Sequence, residues 1–84
     1  MIVIQVTVLF HSFLKELTGC ESASESLPAG STLGSLLERV FDRYPQLEPA
    51  QKSMLTAVGV DYQKGDYVLK DGDEVSLFPP VQGG

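Results

Sequence analysis

Residues 31–45 read STLGSLLERVFDRYP. Leu33, Leu36, Leu37, Val40, Phe41 and Tyr44 fall at i, i+3, i+4, i+7, i+8 and i+11. That spacing draws one apolar stripe along an α-helix of about three to four turns. Ser31 or Thr32 can cap its start, because a hydroxyl oxygen there accepts a free backbone N–H. Pro45 stops it, since the residue before a proline is pushed out of the helical region. A single amphipathic helix covers only one face of a sheet. The segments on either side must therefore supply a sheet, and the helix must lie across it.

Upstream, residues 2–10, IVIQVTVLF, are β-branched and partly alternating. Ile2, Ile4, Val6 and Val8 share one face, and Val3, Gln5, Thr7 and Leu9 the other, which predicts a strand. Val3 and Leu9 suggest that the second face is partly covered too. HSFLKELTG, residues 11–19, sets Phe13, Leu14 and Leu17 at helical spacing and closes on Gly19, which predicts a short helical turn. ESASESLP, residues 21–28, is polar with weak alternation and reads as an edge strand.

Downstream, QLEPAQKSM is a connection. LTAVGV, residues 55–60, reads as a strand with Gly59 as a bulge or point of close approach. YQKGD is a turn, and YVL, residues 67–69, a short strand. KDGD, residues 70–73, carries a hairpin or turn signal. EVSLF, residues 74–78, alternates Val75 and Leu77 against Ser76 and Phe78, and Pro79 must end that strand. The order strand, strand, helix, strand, strand demands a mixed sheet in an α+β fold.

Eighty-four residues allow one domain with one modest core. A hydrophobic content of 43% is that of a soluble globule. No run approaches the roughly 20 apolar residues that span a bilayer. The opening MIVIQVTVLF has no basic n-region and no small-residue cleavage site, so a signal peptide is not expected. One cysteine excludes an internal disulfide, and one histidine with one cysteine falls short of a structural zinc site. A cytosolic, metal-free domain is the expectation. Six basic and eleven acidic residues give a net charge of −5. That argues against nucleic acid and anionic membranes, which reward Lys and Arg clusters. It suits a partner with a basic groove, and it also simply keeps a small protein soluble.

Few residues could carry chemistry. His11 has no oriented nucleophile or carboxylate nearby in the chain and reads as structural. Cys20 is followed by Glu21, which opposes thiolate formation. The glycines make no phosphate-binding pattern. Asp71, Asp73 and Glu74 beside a Gly turn read as a solvated hairpin rather than a cation site. A self-contained active site is not expected.

The tail FPPVQGG, residues 78–84, remains. The carboxylate of Gly84 is ionised at neutral pH and is a poor electrophile. Joined to a nucleotide phosphate as a mixed anhydride, it becomes open to attack by sulfur or an amine. That requires the end to enter another protein's active site. Gly83 and Gly84 lack a Cβ and pass narrow channels. Pro79 and Pro80 stiffen the exit and cut the freedom lost on docking. From Pro79 to Gly84 the reach is about 20 Å. Phe78, with Leu77 or Val75, is the candidate apolar docking patch, continued by Pro79, Pro80 and Val81.

VTVLF, KELTG, STLGSLLERVFDRYP and above all DGDEVSLFPPVQGG resemble the MoaD/ThiS group of ubiquitin-like sulfur carriers. The branch of molybdopterin synthase small subunits is the most similar. The resemblance implies a β-grasp domain over residues 1–79 and an extended tail over 80–84. It implies that an ATP-dependent activating enzyme adenylates Gly84, with ATP and the AMP adduct bound only transiently. A sulfur donor then makes a thiocarboxylate. The loaded tail enters the large synthase subunit, in a heterotetramer, and gives sulfur to a pterin precursor. On this reading the chain is a cosubstrate and not an enzyme alone. A sulfur carrier for thiamine, cysteine or tRNA thiolation, and a ubiquitin-like modifier, remain as alternatives. The chain departs from the branch at Gly59–Val60, where many members carry an Asn.

Overall fold

The structure, a computed structural model, describes residues 2–79, apart from the side chains of residues 50–53. Strand β1 (Val3–Phe10) is followed by the short helix α1 (Leu14–Thr18), β2 (Ser22–Pro28), the main helix α2 (Leu33–Arg43), a 3-10 segment (Pro45–Ser53), β3 (Leu55–Val58), β4 (Asp61–Tyr62) and β5 (Glu74–Phe78). The sheet order is β2-β1-β5-β3-β4. β1 and β5 run parallel at its centre, and every other pairing is antiparallel. This mixed sheet with one helix laid across it is an α+β, β-grasp architecture.

Local sequence explains most of the elements. Thr32 caps α2, its Oγ1 accepting from the Ser35 N–H at 3.2 Å. Leu33, Leu36 and Val40 are fully buried, and Leu37, Phe41 and Tyr44 pack around them. On β1 the buried set is Ile4, Val6, Val8 and Phe10, while Ile2 is exposed. Gly19, at φ 78°, stops α1. At the end of α2, Arg43 Nη1 lies 2.8 Å from Oε2 of the buried Glu25 on β2. That oxygen has no aligned N–H donor, so the contact is Coulombic. It ties the edge strand to the helix.

Four expectations need correction. Residues 67–69 form no strand; Val68 makes a single antiparallel bridge to Thr32 beside α2. Residues 70–73 turn, with Gly72 at φ 87°, but they join no hairpin, because β5 pairs with β1 and β3 instead. The connection after Pro45 is 3-10 helical, and Leu47 within it is fully buried. Gly59 is neither bulge nor close approach. It opens a two-residue hairpin loop between β3 and β4 at φ 63°, and a Cβ there would meet open space. The two-residue strand β4 hides in what reads as a turn, since it is too short to show any period.

The acidic turn is better organised than a solvated hairpin. Asp71 Oδ1 accepts the Gln5 N–H at 2.8 Å. Asp73 Oδ2 accepts the Lys70 N–H at 2.9 Å and the Tyr67 hydroxyl at 3.2 Å. The Thr7 N–H donates to the Asp73 carbonyl at 3.0 Å. These bonds dock the turn against β1 and fix where β5 begins. Among the described residues no helix is long and apolar enough to cross a membrane.

Candidate functional site

Strand β5 delivers the chain to the tail, so the site is built around its far end. The registers Phe10 with Leu77 and Leu55 with Phe78 set which side chains share a face. Side chains alternate along a strand. Val75 and Leu77 therefore point toward α2, and both are fully buried. This corrects the proposed docking patch. Leu77 and Val75 are core and present nothing to a partner. Phe78, half-buried, lies on the opposite face.

That opposite face carries Leu9 and His11 from β1 and its exit, Leu55 and Ala57 from β3, Tyr62 from β4, and Ser76 and Phe78 from β5. The His11 ring stacks on Phe78 with centroids 4.5 Å apart and planes 13° off parallel. Tyr62 meets the same ring edge-on at 6.4 Å. Leu55 is 37% exposed and Tyr62 69%. The His11 N–H donates to the Leu77 carbonyl at 3.2 Å, which continues the parallel ladder to the very end of β5. Pro79, half-buried, has no N–H to extend it. The chain thus leaves the sheet beside a row of three rings with no lysine or arginine in it.

Sequence reasoning singled out Phe78 and Pro79, and both stand at this exit. Pro80, Val81, Gly83 and Gly84 lie outside the described residues. Sequence reasoning missed Leu55 and Tyr62, which join the face only through strand register. His11, read as structural, stands directly against Phe78. Its Nε2 is buried with no hydrogen-bond partner. An orphaned polar atom of this kind costs about 1–3 kcal/mol.

The other candidates sit elsewhere and are satisfied by structure. The Cys20 thiol lies 3.7 Å from the Tyr44 hydroxyl and 3.8 Å from Thr18 Oγ1. That contact with Cys20, helped by burial, pushes the Tyr44 hydroxyl above its usual pKa. A cleft of about 370 Å³ is lined by Glu38, Phe41, Asp42, Pro45 and Glu48, at the end of α2 and away from the tail exit. Among the described residues no group of three or more His, Cys, Asp or Glu side chains is placed to hold a metal ion.

A β-grasp domain whose last strand exits beside half-buried His11 and Phe78 and exposed Tyr62 has the form of a carrier. The ThiS family model matches residues 8–84, and the chain belongs to that family. It is similar to the molybdopterin synthase sulfur carrier subunit of Homo sapiens, 34% identical over 83 residues, covering 95% of this chain and 94% of that one. The putative molybdopterin converting factor, subunit 1, of Pyrococcus furiosus superposes with a TM-score of 0.84 at 28% identity, over 93% of this chain and 99% of that one. A chain in the complex of subunits 1 and 2 of the molybdopterin-converting factor from Helicobacter pylori 26695 superposes with a TM-score of 0.71 at 27% identity, over 96% of this chain and all of that one.

Proposed function

We propose that this chain is the sulfur carrier and small subunit of a molybdopterin synthase. The observation that carries the reading is the family match running through Gly84, on a fold whose last strand leaves the sheet beside His11, Phe78 and Tyr62. The name of the human relative supports the sulfur-carrier role. The Helicobacter pylori complex supports a large-subunit partner.

In this proposal the folded part, residues 1–79, docks through its aromatic face, and residues 80–84 extend into the partner. An ATP-dependent activating enzyme converts the Gly84 carboxylate to an acyl adenylate and releases pyrophosphate. A sulfur nucleophile displaces AMP and leaves a thiocarboxylate. The tail then enters the large subunit, where the thiocarboxylate sulfur attacks a carbon of a pterin precursor and displaces an oxygen leaving group, and water then cleaves the acyl–sulfur bond and returns the Gly84 carboxylate. The sulfur is soft and nucleophilic, and insertion supplies proximity. The chain is a cosubstrate in this scheme and works in the cytoplasm, where ATP and the activating enzyme are at hand.

Intact-mass measurement tests the reading. The chain, incubated with the activating enzyme, ATP and a sulfur donor, gains the mass of one oxygen-to-sulfur exchange, and deletion of Gly84 abolishes the gain. No gain at all under these conditions sinks the proposal. Higher-mass conjugates to lysines of other proteins would point to a modifier instead.

A further inference from the structure

We infer that His11 is a specificity-determining residue of the docking face: its Nε2–H, unpartnered in the free chain, donates to an acceptor oxygen of the docked large subunit. The inference rests on the sulfur-carrier reading and adds to it a residue that selects the partner. The fold leaves the imidazole unexplained. A phenyl ring would stack on Phe78 equally well and would bury no orphaned nitrogen.

The backbone of His11 is held on both sides, so the ring keeps its place on Phe78. The His11 N–H donates to the Leu77 carbonyl at 3.2 Å, and its carbonyl accepts from the Leu14 N–H at 3.2 Å. Ser12 then takes φ 57°, the one positive value among the described non-glycine residues. A left-handed serine straight after His11 is a backbone cost accepted to hold this turn. The ring itself keeps one freedom. A half-turn about Cβ–Cγ preserves its plane, and so the stack, while exchanging Nε2 with Cε1. The nitrogen is re-aimed without breaking the contact with Phe78.

The surroundings make one polar group informative. Leu9, Leu55 and Phe78 offer a docked partner apolar contact without direction. A single donor among them fixes register, and a partner lacking the matching oxygen would leave it buried and unpaired.

The chain has one histidine, so its imidazole signals need no assignment. The isotope-labelled full-length chain is titrated with the large synthase subunit from the same organism while the ring nitrogens are followed by NMR. In parallel, calorimetry gives Kd for the wild type and for His11→Phe. The expected result is a shifted, exchange-protected Nε2 proton at saturation. His11→Phe should bind about tenfold more weakly, with a thermal midpoint equal to or above the wild type. A purely structural histidine predicts a lower midpoint and unchanged affinity. Ring signals that do not move at saturation, or a Kd for His11→Phe within about twofold of the wild type, overturn the inference and leave the sulfur-carrier reading standing. Failure of the wild-type chain to bind the large subunit overturns both.

Discussion

At Gly59, where the family resemblance implies an Asn, the backbone shows why either residue would serve. The position opens a two-residue loop at φ 63°. Glycine takes that conformation freely, and asparagine tolerates it better than most side chains. Gly59→Val should cost about 1–3 kcal/mol in urea unfolding, because a β-branched residue is strained at positive φ. Gly59→Asn should cost clearly less. Equal costs would mean that the loop conformation is not what glycine secures. Tyr67 supplies a second test. Burial, and then the charge of Asp73, raise its hydroxyl above the usual value of 10.0. The unfolded chain therefore ionises first as pH rises. The contribution of Tyr67 to stability is complete below about pH 10 and is lost above it. Tyr67→Phe should show a shallower alkaline decline in its urea midpoint than the wild type. The decline should persist in part, because the Tyr44 hydroxyl is raised as well.

Among the elements, β5 puts core and outward-facing side chains on opposite faces by alternation alone. Leu77 faces α2 at 0% exposure, and its neighbour Phe78 faces outward. Leu77→Ala should cost about 2–5 kcal/mol by leaving a cavity. Phe78→Ala should cost less, about 2 kcal/mol, since its ring keeps part of its surface in water, yet should weaken binding of the large subunit at least tenfold. Paired unfolding and calorimetry experiments read the two effects apart. If Leu77→Ala lost affinity without losing stability, the assignment of faces would be wrong. The alternation itself was legible in EVSLF. Which half of it faced the core was not, because that depends on the side of the sheet to which α2 crosses. The helix was legible throughout, since a 3.6-residue period and a threonine cap are properties of adjacent residues. YVL at 67–69 misled because β-branched and aromatic residues favour a strand only where a neighbouring strand lies alongside. At Val68 only the single bridge to Thr32 is available.

For the whole molecule, the proposed function puts the carrier chemistry on the tail, apart from the packed core. Among the described residues the fully buried side chains run from Val6 to Leu77. Removal of residues 83–84 should therefore leave the thermal midpoint unchanged and abolish sulfur loading. A large loss of stability on this truncation, read by thermal melting, would contradict that division. The net charge of −5 acts at the same scale: it favours encounter with a basic partner surface, an effect that weakens as salt screens it.

The sequence by itself determined what depends on neighbours in the chain: the amphipathic helix, the alternating strands β1 and β5, the stop at Pro79, and the side-chain-free Gly83–Gly84. Those features sufficed for a mixed sheet in an α+β fold and for the expectation that chemistry sits on the tail, while the β-grasp class came from the family resemblance. Only the tertiary structure decided which side chains frame the exit. His11, Leu55, Tyr62 and Phe78 come from four separate strands or their ends, and parallel and antiparallel register brings them to one face. Register is set by the packing of α2 and by hydrogen bonds such as Gln5 N–H to Asp71. These join residues distant in the chain, where no local period can report them.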